Sequence, residues 1–330
     1  MSSVRPKFLA SGNQLGVVAV GFSGGQVLPF PVLRHLRSKT LTNTNQGKIG
    51  VDTAPQALID AGLLRTLHSD LGYAIHHDNK VHDYAEHLPS SDPPLAIKGT
   101  NVPMLRPLTV SAVTRTVSAQ VYEHAKQGRL TLTLGGDHSI AIGSISGNAK
   151  AIRERTGKEI AVIWVDAHAD INTPEGSGSG NIHGMPVAFL AGLAGPPIEN
   201  PEVFGWLEAE HKINVKKLVY IGLRDLDLPE KKMLREKEIK AFSMHDVDRY
   251  GIGRVMEMAL QYVGEDAPIH LSFDVGALDP LWAPSTGTPV RGGLTLREGD
   301  FICECVHETG QLVAMDLVCF LPFLCVIGFC

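Results

Sequence analysis

Ile160-Ala161-Val162-Ile163-Trp164-Val165-Asp166-Ala167-His168-Ala169-Asp170 is the stretch on which the reading of the whole chain turns. Its first half is an unbroken apolar run of strand length. A strand with no polar face must be covered on both sides, which is the property of a parallel sheet clothed by crossover helices. The run then stops abruptly in carboxylates and an imidazole. In extended chain, residues two apart share a side, so Asp166, His168 and Asp170 can converge on one point.

The same arrangement recurs in both directions. Apolar periodicity predicts strands over 16–20, 130–134, 160–165, 217–221 and 269–273, and helices over 55–68, 110–126, 141–155, 247–262 and 297–308. Gly135-Gly136-Asp137-His138, Gly222-Leu223-Arg224-Asp225-Leu226-Asp227 and Asp274 each follow directly on one of these strands. The expected fold class is therefore α/β, a single-domain parallel sheet flanked by helices. In such sheets ligands bind in the crevice beyond the carboxyl ends of the strands.

Alone, each of these aspartates reads as a strand-end cap or a turn residue. Together, His138, Asp166, His168, Asp170 and Asp274 read as a metal site, an oxygen-rich set without cysteine that suits manganese better than structural zinc. Carboxylates that bridge two divalent ions generate hydroxide from water at neutral pH and polarise the group under attack, so the chemistry implied is hydrolysis. Close by, Ser179-Gly180-Asn181-Ile182-His183-Gly184 carries a histidine that is either a solvent-exposed loop residue or a proton shuttle.

Composition narrows the partner. The chain has 330 residues, a formal net charge of -5 and no stripe of Lys and Arg, so neither nucleic acid nor an anionic membrane is implied and a small molecule is. The apolar run Leu15 to Phe22 reads as a buried strand ending in Ser23-Gly24-Gly25 rather than as a leader. Leu317 to Cys330 is apolar, but shorter than the roughly 20 residues a spanning helix needs. The 5 cysteines, Cys303, Cys305, Cys319, Cys325 and Cys330, crowd near the end, a poor disulfide framework. Buried thiols in a reducing, cytoplasmic compartment are expected rather than a Cys303/Cys305 metal pair.

Gly-Gly-Asp-His-Ser from 135, Val-Asp-Ala-His-Ala-Asp-Ile-Asn-Thr-Pro from 165, Ser-Gly-Asn-Ile-His-Gly from 179, Gly-Leu-Arg-Asp-Leu-Asp from 222, Ser-Phe-Asp-Val from 272 and Ser-Thr-Gly-Thr-Pro-Val from 285 resemble, in order and spacing, the motifs of the arginase family of binuclear manganese hydrolases. The resemblance covers roughly 48–318. It implies an arginase-like fold, two Mn2+ ions and hydrolysis of L-arginine to L-ornithine and urea, as in arginine metabolism and the urea cycle. By position it implies that one manganese takes His138, Asp166, Asp170 and Asp274, and the second takes His168 with Asp166 and Asp274 bridging. His183 matches the family's proton shuttle and, with Asp170, is expected to be catalytic. Asn172 and Ser179 would meet the substrate's α-carboxylate and Asp227 its α-amino group, with Asp225, Glu230 and Thr288 close by. Arg297 and Glu298 match a salt-linked pair at subunit contacts, and a homotrimer is among the assemblies implied.

The chain departs from that pattern in three places. Gly276 stands where the family has a second carboxylate ligand after Asp274, so the second metal should bind more weakly; Asp279 has its own counterpart and is not expected to substitute. Cys319 stands where a Glu helps to hold the guanidinium, and 319–330 is read as an aberrant apolar tail on a domain of residues 1–318. The third departure is an insertion at 27–46. Val27 can encode an intron donor, Gln46 an acceptor and Val318-Cys319 a second donor, so both segments are expected to be introns translated in frame. The alternatives are a catalytically inactive metal- or arginine-binding relative, and another ureohydrolase such as an agmatinase.

Overall fold

The computed structural model describes residues 4–10, 12–26, 50–198 and 200–321. Among the described residues, nine strands form one sheet: β1 (Gln14–Val20), β2 (Ala74–His76), β3 (Val81–His82), β4 (Leu130–Leu134), β5 (Ala161–Val165), β6 (Leu218–Leu223), β7 (Lys240–Ser243), β8 (Ile269–Asp274) and β9 (Leu312–Val318). The order is β2-β1-β4-β9-β8-β5-β6-β7, with β3 also beside β1, and every pairing is parallel. The helices are α1 (Ala54–Asp60), α2 (Leu63–Ser69), α3 (Pro107–Ala125), α4 (Ala141–Thr156), α5 (Pro186–Leu190), α6 (Leu228–Glu236), α7 (Met244–Val263) and α8 (Leu296–Glu308).

β5 shows why its sequence has no polar face. Ile163 and Val165 pack with Val255 and Met256 of α7 and with Ile302 and Val306 of α8. Val162 and Trp164, pointing the other way, pack with Ile145 and Ile152 of α4. The alternation of a strand thus feeds two cores at once. The predicted fold class and all five predicted strands are present, with no end displaced by more than two residues.

Two predicted helices are interrupted, each at a glycine. The periodic stretch 55–68 divides into α1 and α2 at Gly62, whose φ of 94° belongs to the left-handed region. The stretch 247–262 lies in α7, which begins at Met244 and kinks at Gly251, φ 73°. Apolar periodicity survives such breaks because the segments on either side still bury the same face, so pattern alone cannot register them. Segment 27–46 falls outside the described residues, as do Cys325 and Cys330. Cys303 and Cys305 are free thiols and half-buried rather than fully buried. Among the described residues, no helix is long and apolar enough to cross a membrane.

α3 and α4 lie unusually close. Gly143 and Gly147, one helical turn apart on α4, face α3; a Cβ on Gly143 would come within 2.5 Å of the Thr114 carbonyl oxygen, and one on Gly147 would overlap the Ser118 carbonyl. Backbone cannot yield as a side chain can. We expect Gly147→Val to force the helices apart and to cost about 1–3 kcal/mol, as overpacking does. A lowered denaturation midpoint with an unchanged denaturant slope would show this; an unaltered midpoint would contradict the packing described.

Candidate functional site

Because the sheet is parallel, the ends of β4, β5, β6 and β8 open on one rim, and the polar clusters meet there. His138 lies in a short 3-10 turn after β4, made possible by Gly136, whose missing side chain lets the turn lie against the backbone of Phe22. Its ring is fixed on one face and at both nitrogens. It stacks on Trp164 with centroids 3.9 Å apart and an interplanar angle of 17°, and its Nε2 lies 2.9 Å from the Ser272 hydroxyl. The opposite nitrogen, Nδ1, faces Asp166 at 3.1 Å, Asp170 at 3.3 Å and Asp274 at 3.4 Å.

Those carboxylates arrive from different segments. Asp166 directly follows β5 and is wholly buried; Asp274 ends β8; Asp170 turns back through a left-handed backbone, φ 48°, which an aspartate adopts only when surrounding structure holds it there. His168 points Nδ1 at Asp166 Oδ1, 3.4 Å away, and Nε2 at Asp225, 3.6 Å away. Among the described residues, His138, Asp166 and Asp170 place one potential ligand atom each within 4.8 Å of the others.

Electrostatics follow from this crowding. Burial lowers the affinity of His138 for a proton, but the three carboxylates outweigh it and hold its pKa well above the ordinary value. Burial is likewise outweighed at His168, where Asp166 lifts the pKa to about 10. Asp170 is pushed up to about 7 by burial and by the neighbouring charge of Asp166. The protonated imidazoles thus fill the electrostatic part a cation would play. His138, Asp166 and Asp170, with Asp274 beside His138 and His168 on the other oxygen of Asp166, fit a divalent metal.

A cavity of about 140 Å³ opens above this cluster. Its lining includes Asn172, Ser179, His183, Asp225, Asp227, Glu230 and Thr288, so every residue expected to touch substrate is brought to one space with His138, His168, Asp170 and Asp274. Asp166 lies beneath the floor. Asn172 donates its amide to Asp227 Oδ2 at 2.9 Å, while Glu230 accepts from the backbone N–H groups of Asp227 at 2.9 Å and Ile171 at 3.2 Å. Glu230 is therefore a support of the wall, and burial raises its pKa to about 7. Among the described residues, His183 has no hydrogen-bond partner at its buried Nδ1, and burial together with the cationic His168 lowers its pKa to about 4.

The departures have structural consequences. The Gly276 N–H donates to Asp274 Oδ1, and a Cβ on Gly276 would lie 2.8 Å from that same oxygen. Asp279 accepts from the N–H groups of Leu281, Gly292 and Gly293, at 2.9, 2.7 and 3.2 Å, and is committed to its own loop. Cys319 lines the cavity beside Asp274, and burial and that carboxylate keep its thiol protonated. The first residues of the tail are tied in: Cys319 N–H donates to Gly136 O at 2.7 Å and Leu321 N–H to Ser285 O at 2.9 Å. Arg297 pairs with Glu304 through two bonds of 3.0 and 2.9 Å, while Glu298 caps α8 at Thr295, so within the chain these two neighbours serve different partners.

Some site residues went unread in the sequence. Ser272 bonds His138, and behind it Asp316, wholly buried, accepts from Ser144 at 2.8 Å and meets His270 Nε2 at 2.9 Å. The available signal was a polar residue within an apolar strand, His270 in β8 and Asp316 in β9. Arg224, taken with the polar clusters, instead clamps the loops by donating to the carbonyls of Gly276 at 2.8 Å, Ala277 at 3.0 Å and Val290 at 2.8 Å.

Comparison with known proteins agrees with the geometry. The model of the arginase family matches residues 38–327. An arginase of Emericella nidulans is 63% identical over 327 residues, covering 99% of this chain and 92% of that one. The crystal structure of a cold-adapted arginase from the psychrophilic yeast Glaciozyma antarctica superposes with a TM-score of 0.69 at 40% identity, covering 96% of this chain and 92% of that one. The Entamoeba histolytica arginase in complex with L-ornithine gives a TM-score of 0.74 at 28% identity, covering 94% and 92%. The sheet, the cluster of histidines and aspartates at its rim and this likeness along nearly the whole length lead to one conclusion: the chain belongs to the arginase family.

Proposed function

We propose that the protein hydrolyses L-arginine to L-ornithine and urea at the cavity above His138, with manganese as its metal. The observation that carries this is the meeting of one buried imidazole nitrogen with three carboxylates, directly beneath a cavity whose walls are acidic and whose rim bears amide and hydroxyl groups. Bound divalent ions supply hydroxide from water at neutral pH and polarise the carbon under attack. His138, Asp166, Asp170 and Asp274 would hold one ion; His168, with Asp166 and Asp274 shared, would hold the other.

The chain's own residues do the rest. Guanidinium keeps its proton in proteins, so it is drawn into a cavity lined by Asp170, Asp225, Asp227 and Asp274. Asn172 and Ser179 would receive the α-carboxylate and Asp227 the α-amino group, which fixes the reach of the side chain into the floor. Water adds to the guanidinium carbon, the bond from that carbon to the chain nitrogen breaks, and the departing amine needs a proton. His183, neutral at pH 7, takes the proton released by the attacking water and passes it to that amine. Residues 1–318 are read as the enzyme domain, with 27–46 and 319–330 as translated intron sequence; transcripts lacking both segments would support that reading, and transcripts that retain them throughout would end it.

Urea release from arginine with added manganese is the direct test. Agmatine, which lacks the carboxylate that Asn172 and Ser179 would bind, should be at least ~100-fold poorer in kcat/KM, given what sites built around a polar group lose when it is missing. Comparable rates on both would move the reading to another ureohydrolase. Absence of turnover at any metal concentration would favour an inactive relative.

Metal binding should be graded. Calorimetric titration is expected to show one manganese held more firmly than the other, since Gly276 offers no donor; two equally tight sites would contradict this. Gly276→Asp should strengthen the weaker site by roughly tenfold or more and raise activity at limiting manganese. Repair should be partial, because the new Cβ must displace Asp274 from its present seat. Full repair should also require Cys319→Glu, and sufficiency of Gly276→Asp alone would show that the thiol is no handicap.

The pH dependence has a defined sign. His168 and Asp170 both have folded pKa values raised, to about 10 and about 7, so in the metal-free protein the stabilisation from their protons is complete below their unfolded values and is lost as pH climbs through the folded ones. His183 and His124, both lowered to about 4, act in the opposite sense below pH 6.5, so the thermal stability of the metal-free protein should fall between roughly pH 7 and 10, and manganese should reverse the loss increasingly at the upper end while releasing protons. Stability that rises with pH over that window in the absence of metal would refute this.

A further inference from the structure

His138 can ligate a cation through Nδ1 only if its ring keeps a proton on Nε2, because a nitrogen that binds a metal carries none. The surroundings of Nδ1 alone favour the other tautomer. Asp166, Asp170 and Asp274 face that nitrogen at 3.1, 3.3 and 3.4 Å, and each would accept a proton held there. The choice must be made on the far side of the ring.

On that side the hydrogen bonds run in one direction. Nε2 lies 2.9 Å from the Ser272 hydroxyl, which lies 3.3 Å from Asp316 Oδ2. A carboxylate accepts and does not donate, so the hydroxyl proton turns to Asp316 and the hydroxyl oxygen offers its lone pair to His138. Turned the other way, the hydroxyl would exchange a charge-assisted bond for a neutral one, and the former is roughly twice as strong. The same oxygen of Asp316 accepts from Ser144 at 2.8 Å and from His270 Nε2 at 2.9 Å. His270 is itself set from behind: the Asn148 amide nitrogen lies 3.3 Å from its Nδ1, so Nδ1 accepts and Nε2 carries the proton. Ser144, Asn148, His270, Ser272 and Asp316 are all fully buried, so bulk water does not compete for these bonds.

We propose that Asp316 is a positioning residue for the metal held by His138: through Ser272 it fixes the ring proton of His138 on Nε2 and leaves the lone pair of Nδ1 turned toward Asp166, Asp170 and Asp274. Asp316 lies on β9 and, like Ser272, is not part of the cavity lining. The proposal rests on the metal reading given above and adds to it the residue that selects the tautomer. Without Asp316 the Ser272 hydroxyl can donate to Nε2. His138 then keeps its proton on Nδ1, and an arriving cation finds that position taken.

The test is a double-mutant cycle of Asp316→Ala and Ser272→Ala in the full-length protein, read by calorimetric titration with manganese. Each single change should weaken the firmer manganese about 10- to 100-fold, as the loss of a partner behind a metal-binding histidine does. The double variant should be weaker than the poorer single one by no more than about twofold, because both changes break the same chain of bonds. KM for arginine at saturating manganese should stay within roughly twofold of the parent's, which a general loosening of the sheet would not allow. If Asp316→Ala does not fold, Asp316→Asn takes its place in the cycle, since an uncharged amide oxygen no longer outcompetes Nε2 for the hydroxyl proton. Unchanged manganese affinity in Ser272→Ala or in the folded Asp316 variant, additive losses in the double variant, or a KM that rises in step with the manganese Kd would each overturn the proposal while leaving the metal reading intact. A parent protein that takes up no manganese would overturn both.

Discussion

Three carboxylates cannot remain charged around one buried point unless something positive sits among them. That constraint governs the catalytic rim. Asp166, Asp170 and Asp274 come from separate segments, and each would pay a desolvation penalty of several kcal/mol if left unpaired. His138 supplies the common centre, and its ring can do so only because Trp164 backs its face and Ser272 its far nitrogen. A metal ion answers the same demand more strongly, and it arrives at a site whose ligands are already assembled.

Support for that centre extends inward through the sheet. Ser272 passes from His138 to Asp316, and Asp316 gathers Ser144 and His270, so β4, β8, β9 and α4 are linked through one buried polar cluster. Such a cluster is tolerable only when its members find partners. On the opposite wall, Arg224 performs a comparable service for loops, gathering the carbonyls of Gly276, Ala277 and Val290. The chemistry of the rim thus rests on parts that never touch the cavity.

How much of this was legible in the sequence depended on whether the signal was local. The strand 160–165 and its polar ending were readable because an unbroken apolar run and the polar cluster that stops it are carried by neighbouring residues. The convergence of His138, Asp166, Asp170 and Asp274 was readable once parallel strands were inferred, since parallel strands end at one rim. β7 and β9 escaped because β7 is short and β9 carries Asp316, a charge that only distant partners can justify. The splits at Gly62 and Gly251 escaped because a glycine within a periodic pattern leaves that pattern unchanged. The neutral thiol of Cys319 beside Asp274 could be located in sequence by likeness alone, and its tight fit against Gly136 only in three dimensions.

The order of strands carries a consequence for how the chain is made. β1 and β4 lie on one side of the sheet, β5, β6 and β7 on the other, and the gap between them is filled by β8 and β9, the last strands along the sequence. A ribosome releasing the chain from its N-terminus therefore produces two half-sheets with raw facing edges. At synthesis rates of about 5–20 residues per second, those edges stay unpaired for several seconds while the strands that join them are still being translated. During that interval, exposed β4 and β5 are open to pairing with other chains. The centre of the finished molecule is its last part to form, and a nascent chain stalled short of residue 318 would carry both edges unsealed.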